Sequence, residues 1–133
     1  MVRTAVEAPA SRLEMVKAER DTFAALAFCW ADVLMALDPQ RVVRFACGAT
    51  RHYLGMREHE LKGQYLDDLV LPEDAGRIAD ILGESRSKGR VERDRVRLQG
   101  NAGQATAMTL VGYSLDPQQG QFFLGLRRAP NVP

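Results

Sequence analysis

From Leu13 to Trp30 the chain repeats one pattern. Leu13, Val16, Arg20, Phe23, Ala27 and Trp30 step by three and four, an a/d seam with one polar member. The spacing predicts a helix over 11–30. Ser11 stands as its N-cap, and Glu14 three residues on completes a capping-box pattern. Two readings stay open for this helix: it packs on its own domain, or its seam meets a second copy. The pattern then changes period. Val33, Met35 and Leu37 alternate with Leu34 and Ala36, which predicts a strand. Asp38-Pro39-Gln40 makes a turn and Val42–Ala46 a second strand, so a β-hairpin is expected.

The middle third is helical in short pieces. Gly48–Leu54 is one, closed by Gly55, and Arg57–Leu61 another, closed by Gly63. Tyr65, Leu66 and Leu69 stripe a third. Pro72 opens a longer helix, where its missing N–H costs nothing. Glu73 and Asp74 oppose the macrodipole in the first turn, Ala75, Ile78 and Leu82 recur at helical spacing, and Gly89 suits the C′ position beyond Lys88. The last third alternates again. Glu92, Asp94, Val96 and Leu98 are expected on one strand face, with Arg93, Arg95 and Arg97 on the other. A turn at Asn101–Gly103, a strand from Ala105 to Leu115, a turn at Asp116–Gly120 and a strand from Gln121 to Arg128 complete a meander. The order is helix, two strands, short helices, three strands. That is an α+β fold: a five-stranded antiparallel sheet with short helices on one face and an N-terminal flanking helix.

Totals refine this. A length of 133 residues suits one domain, and 46% hydrophobic with 26% charged is ordinary globular composition. A net charge of +1 gives no electrostatic case for nucleic acid or an anionic membrane. No apolar run reaches the roughly 18–20 residues of a membrane span, and the N-terminus lacks an apolar core of secretory type. Cys29 and Cys47, without C-x-x-C spacing, suggest reduced thiols in a cytoplasmic protein. Residues 1–10 are expected to be a disordered tail, and 130–133 a linker to a possible output domain.

The run Glu60–Asp74, of the form E-L-x-G-x-x-x-x-D-L-V-x-P-E-D, resembles the middle of a PAS domain, with Gly63, Asp68, Leu69, Pro72, Glu73 and Asp74 on the motif. Asp38 matches the acidic residue that ends the family's first strand, and FFLGLRR with a central Gly125 is similar to its last. The resemblance spans 31–129. Three features depart from it. The hairpin turn lacks the usual glycine, Cys47-Gly48 replaces Asn-Pro, and Ala129-Pro130 replaces the usual exit into a signalling helix. The resemblance implies a sensory or interaction module at the front of a histidine kinase, a cyclic-dinucleotide cyclase or phosphodiesterase, or a transcription regulator. It also implies dimerisation through the helix before the first strand.

Candidate chemistry is sparse. The position of the photoactive cysteine in light-oxygen-voltage domains is Leu66, and the Pro72–Lys88 helix has no histidine to ligate haem. His52 and His59, seven apart without a third ligand, make a weak metal site, and no metal is expected. No serine sits in a nucleophile motif, and adjacent Asp67 and Asp68 point apart, so no catalytic residues are expected. Cys47 at a helix start is a place for a lowered thiol pKa, or simply a buried small residue.

What remains is the space under the helices. Its expected lining is Met35, Leu37, Tyr53, Tyr65, Leu66, Leu69, Ile78, Leu82, Val96, Leu98, Met108, Leu110 and Phe123. Arg127 is expected on the same strand face as Phe123, positioned to hold a carboxylate. The same residues describe a filled core. No cofactor is named by the sequence. The opposite face is expected to carry Phe122, Leu124 and Leu126. With Leu13, Val16, Phe23, Ala27 and Trp30 they would form a homodimer surface. The sequence is compatible first with a small-molecule sensor, next with a ligand-free interaction module and last with a small α+β enzyme with a cone-shaped cavity.

Overall fold

The computed structural model describes residues 11–100, 105–114 and 120–129. The expected tail at 1–10, the turn at Asn101–Gly103, most of the turn at 116–120 and the linker at 130–133 lie outside these residues. Helix α1 runs Arg12–Phe28, with the Ser11 hydroxyl accepting from the Glu14 N–H at 3.1 Å. Strands β1 (Val33–Leu37) and β2 (Val43–Gly48) form the hairpin. Two short helices follow, α2 (Thr50–Leu54) and α3 (Glu58–Leu61). A single 3₁₀ turn over Leu66–Asp68 stands where the third short helix was expected. Helix α4 spans Pro72–Lys88 with Pro72 in its first turn, and β3 (Arg90–Gln99), β4 (Ala105–Tyr113) and β5 (Phe122–Arg128) close the chain.

All five strands belong to one antiparallel sheet ordered β2-β1-β5-β4-β3. The helices between β2 and β3 lie over one face and bury a single core, as the alternation predicts. Two local features were not legible. A one-residue bulge falls between Arg93 and Val96, with Arg95 at φ 62°. A bulge reverses strand parity, so Val91, not Glu92 or Asp94, shares the buried face with Val96 and Leu98. The hairpin turn solves its missing glycine with Arg41, which takes φ 67°.

The last strand corrects the sequence reading. Phe122, Leu124 and Leu126 face the core, at 3%, 2% and 0% exposure, opposite Leu37, Met35 and Val33. Phe123, Gly125 and Arg127 therefore lie on the outer face. With side chains alternating at period two, choosing the wrong parity moves every residue of the strand. The continuous large apolar set is the one the core takes.

Candidate functional site

Of the fourteen residues expected to line a site, Met35, Leu37, Leu66, Leu69, Ile78, Leu82, Val96, Leu98, Met108 and Leu110 are buried together in the core, and Tyr53 packs against them half-buried. Three do not join them. Tyr65 is 52% exposed, because it precedes the 3₁₀ turn in extended backbone and so does not share Leu66's direction. Phe123 is half-buried on the outer sheet face, and Arg127 is exposed there. The proposed inward carboxylate clamp at Arg127 is thus overturned. Its guanidinium lies 5.2 Å over the Trp30 ring.

The outer face is apolar in rows. Phe45, Ala36, Phe123 and Tyr113 are consecutive cross-strand partners from β2 to β4, and Cys47, Leu34, Gly125 and Val111 form the next row. Phe45 is 59% exposed and Tyr113 41%. Trp30 is not on the helical seam. The chain leaves α1 at Phe28, and Trp30 folds onto the sheet at Gly125, where a Cβ would lie 3.1 Å from its ring. A groove of about 290 Å³ opens beside it, lined by Ala27, Leu34, Val111, Tyr113 and Phe123 among others. Helix α1 buries none of its residues. Leu13, Val16 and Phe23 of the seam are exposed, and Met15 and Leu26 widen the stripe. So α1 does not pack on its own domain.

One residue that sequence reading missed ties these parts together. Asp32, just before β1, donates its N–H to Leu126 O at 2.7 Å and accepts the Ala49 N–H on its carbonyl at 2.9 Å. Its carboxylate accepts the Arg128 N–H at 2.9 Å and the Tyr53 hydroxyl at 3.3 Å. Burial, and then the Asp32 charge, push the Tyr53 phenol above its ordinary pKa. Gly48 has φ 104°, and a Cβ there would meet Asp32 O at 2.3 Å. That contact is a physical reason for glycine where the resemblance leads one to expect proline. No local pattern marks Asp32, since its partners come from α2 and the far end of β5.

Several other polar groups have structural partners. Arg41 forks onto Asp67 at 2.9 and 3.0 Å, so Asp67 is bonded, while Asp68 accepts no side-chain hydrogen bond among the described residues. Asp74, 5% exposed, accepts from the Arg97 backbone N–H and guanidinium at 2.9–3.0 Å. Arg97 holds the Asp74 carboxyl below the ordinary carboxylate range. Cys47 lies in β2, not at a helix start, and burial, aided by Glu58, pushes its thiol up. This overturns an activated thiolate. Among the described residues no group of three or more His, Cys, Asp or Glu is arranged to hold a metal, and no helix is long and apolar enough to cross a membrane.

No family model matches the sequence, and no curated protein matches it. Solved structures do match by fold. The PAS domain of a Colwellia psychrerythraea protein superposes with a TM-score of 0.72 at 14% identity, covering 89% of this chain and 99% of that one. The PAS domain of an HTR-like protein from Haloarcula marismortui gives 0.63 at 17%, covering 89% and 100%. The PAS domain of the Cronobacter turicensis RpfR quorum-sensing receptor, in complex with BDSF, gives 0.61 at 16%, covering 74% and 93%. The chain has the PAS-domain fold.

Proposed function

We propose that this chain is a non-catalytic, cytoplasmic sensory and signal-transduction module that works as a homodimer for an attached effector. A histidine kinase, a cyclic-dinucleotide cyclase or phosphodiesterase, and a transcription regulator are the effector classes that the fold suggests. The observation that carries this reading is the uncovered apolar surface. An exposed stripe on α1 runs into Trp30 and an apolar outer sheet face, in a fold whose helix precedes β1. Water-exposed apolar area of this extent marks an association surface, and a second copy offers the same stripe in return. Asp32 supports the transmission step, since one carboxylate joins the exit of β5 to α2 beside the end of α1.

A second reading, small-molecule sensing in the core, is supported by one finding. The RpfR domain of the same fold is known in complex with BDSF and with C12:0. Met35, Leu66, Ile78 and Met108 are buried together in the apolar core, and the two methionines would be able to repack around an apolar ligand entering there. A ligand that prefers one dimer geometry would shift its population.

Native mass spectrometry of the full chain, purified without refolding, tests both readings. A dimer mass supports the first and a stoichiometric small-molecule adduct the second. A monomer across the micromolar range rejects the dimer.

A further inference from the structure

The geometry points to a separate binding site for a small dianion in the cleft between α2 and α3. It is an open surface depression of about 670 Å³ outside the core. Its walls carry Arg51, His52, Arg57, Glu58 and His59, with Thr50 at the base. Two arginines against one glutamate leave an excess of one positive charge before either histidine is counted.

Like Arg12, Arg95 and Arg128, the two arginines here are not tied to an acidic partner among the described residues, whereas most others are engaged. Arg41, Arg44, Arg90, Arg93 and Arg97 each form an ion pair, Arg77 donates to two backbone carbonyls, and Arg86 and Arg127 lie over aromatic rings. Among the described residues, the Arg51 and Arg57 side chains form no ion pair. The Glu58 carboxylate on the same wall accepts the Gly48 N–H at 3.2 Å, so it braces the cleft against β2. Thr50 is only 2% exposed, yet it borders the cleft and its side chain makes no hydrogen bond among the described residues.

A second independent feature is continuity. The adjoining depression of about 300 Å³ shares Glu58 and His59 and adds Lys62 and Arg44. The basic lining thus extends along the β2 edge, while the Asp38 carboxylate neutralises Arg44. Two arginines on the lining of one depression would suit two oxyanion groups, as in a phosphate ester, pyrophosphate or a dicarboxylate. This site stands whether or not the core binds a ligand.

The test is a ¹⁵N chemical-shift titration of the full chain with inorganic pyrophosphate, ionic strength held constant with sodium chloride. Saturable shifts confined to residues 48–52 and 57–59 are expected. Arg51→Gln and Arg57→Gln should each weaken binding about tenfold, the scale of one charge-assisted hydrogen bond, and Lys62→Gln by less than twofold. Both arginines are exposed, so the variants should keep the parent's melting temperature, which circular dichroism checks. A parallel titration with succinate shows which oxyanion type the forks prefer, and saturable binding of either supports the site. Non-saturating shifts, shifts spread over β3, or binding that survives in the Arg51→Gln/Arg57→Gln double variant overturn it.

Discussion

Asp74 sits at the first turn of α4 and reaches β3, so one carboxylate fixes the angle between the longest core helix and the sheet. An amide in its place loses the charge and one of the two oxygens that accept from Arg97. Asp74→Asn should therefore cost about 1–3 kcal/mol at pH 7, read from urea unfolding. The pH dependence has a definite sign. The folded carboxyl is depressed, so the unfolded chain binds the proton more readily. The stabilisation is complete above the unfolded value of about 3.9 and is lost as pH falls through the folded one. The gap between parent and Asp74→Asn should narrow below pH 4. A gap that stays constant would show that the charge contributes nothing. Arg41 poses a different residue-scale problem. A non-glycine residue at φ 67° costs roughly 1–2 kcal/mol. Its fork to Asp67 is about one-third exposed and offsets at most part of that cost. Arg41→Gly should be close to neutral in the parent. In an Asp67→Ala background, where the fork is already lost, it should stabilise by about 1 kcal/mol. Equal effects in both backgrounds would mean that the ion pair does not hold the turn.

At the scale of elements, β5 is where the two faces are decided. Gly125 lets the Trp30 ring approach the sheet closely, just beyond the end of α1. Gly125→Val would place branched methyls within the Trp30 ring's space. The expected result is a red-shifted Trp30 emission with the fold retained, because the core face of β5 is untouched. Unchanged emission would remove Trp30 as the anchor of α1. The same strand shows what sequence could and could not reveal. Element order and ten of the core residues followed from periodicity, because those segments are amphipathic in one sense only, while the PAS motif over Glu60–Asp74 was legible as a resemblance in the order of its residues. β5 carries Phe122, Leu124 and Leu126 on its core face and Phe123 on its outer one, beside Gly125 and Trp30. The continuous apolar set marked the core face, and the inward reading of Arg127 took the other parity because it followed Phe123 alone. The β3 bulge and the Asp32 cluster were hidden for another reason: each depends on partners distant in sequence.

For the whole molecule, the question is what covers α1 and the outer sheet. A chain with Leu13, Met15, Val16, Phe23 and Leu26 all exposed on one helix gains by burying them. Each large side chain taken from water contributes about 1.5–3 kcal/mol. In a two-fold dimer every substitution counts twice. Phe23→Glu with Leu26→Glu should thus weaken self-association about 100-fold or more, measured by sedimentation equilibrium, while the monomer keeps its melting temperature because neither side chain is buried within it. Removing residues 1–30 is the stronger perturbation. It takes away the helix and Trp30, and leaves Leu34, Phe45, Tyr113 and Phe123 facing water together. Loss of the dimer, with aggregation through the bared sheet, is the expected outcome. A truncated protein that stays soluble with its oligomeric state unchanged would place the contact elsewhere on the domain. The exposed stripe of α1 would then need another partner, of which an adjoining segment of a longer chain is the nearest in kind.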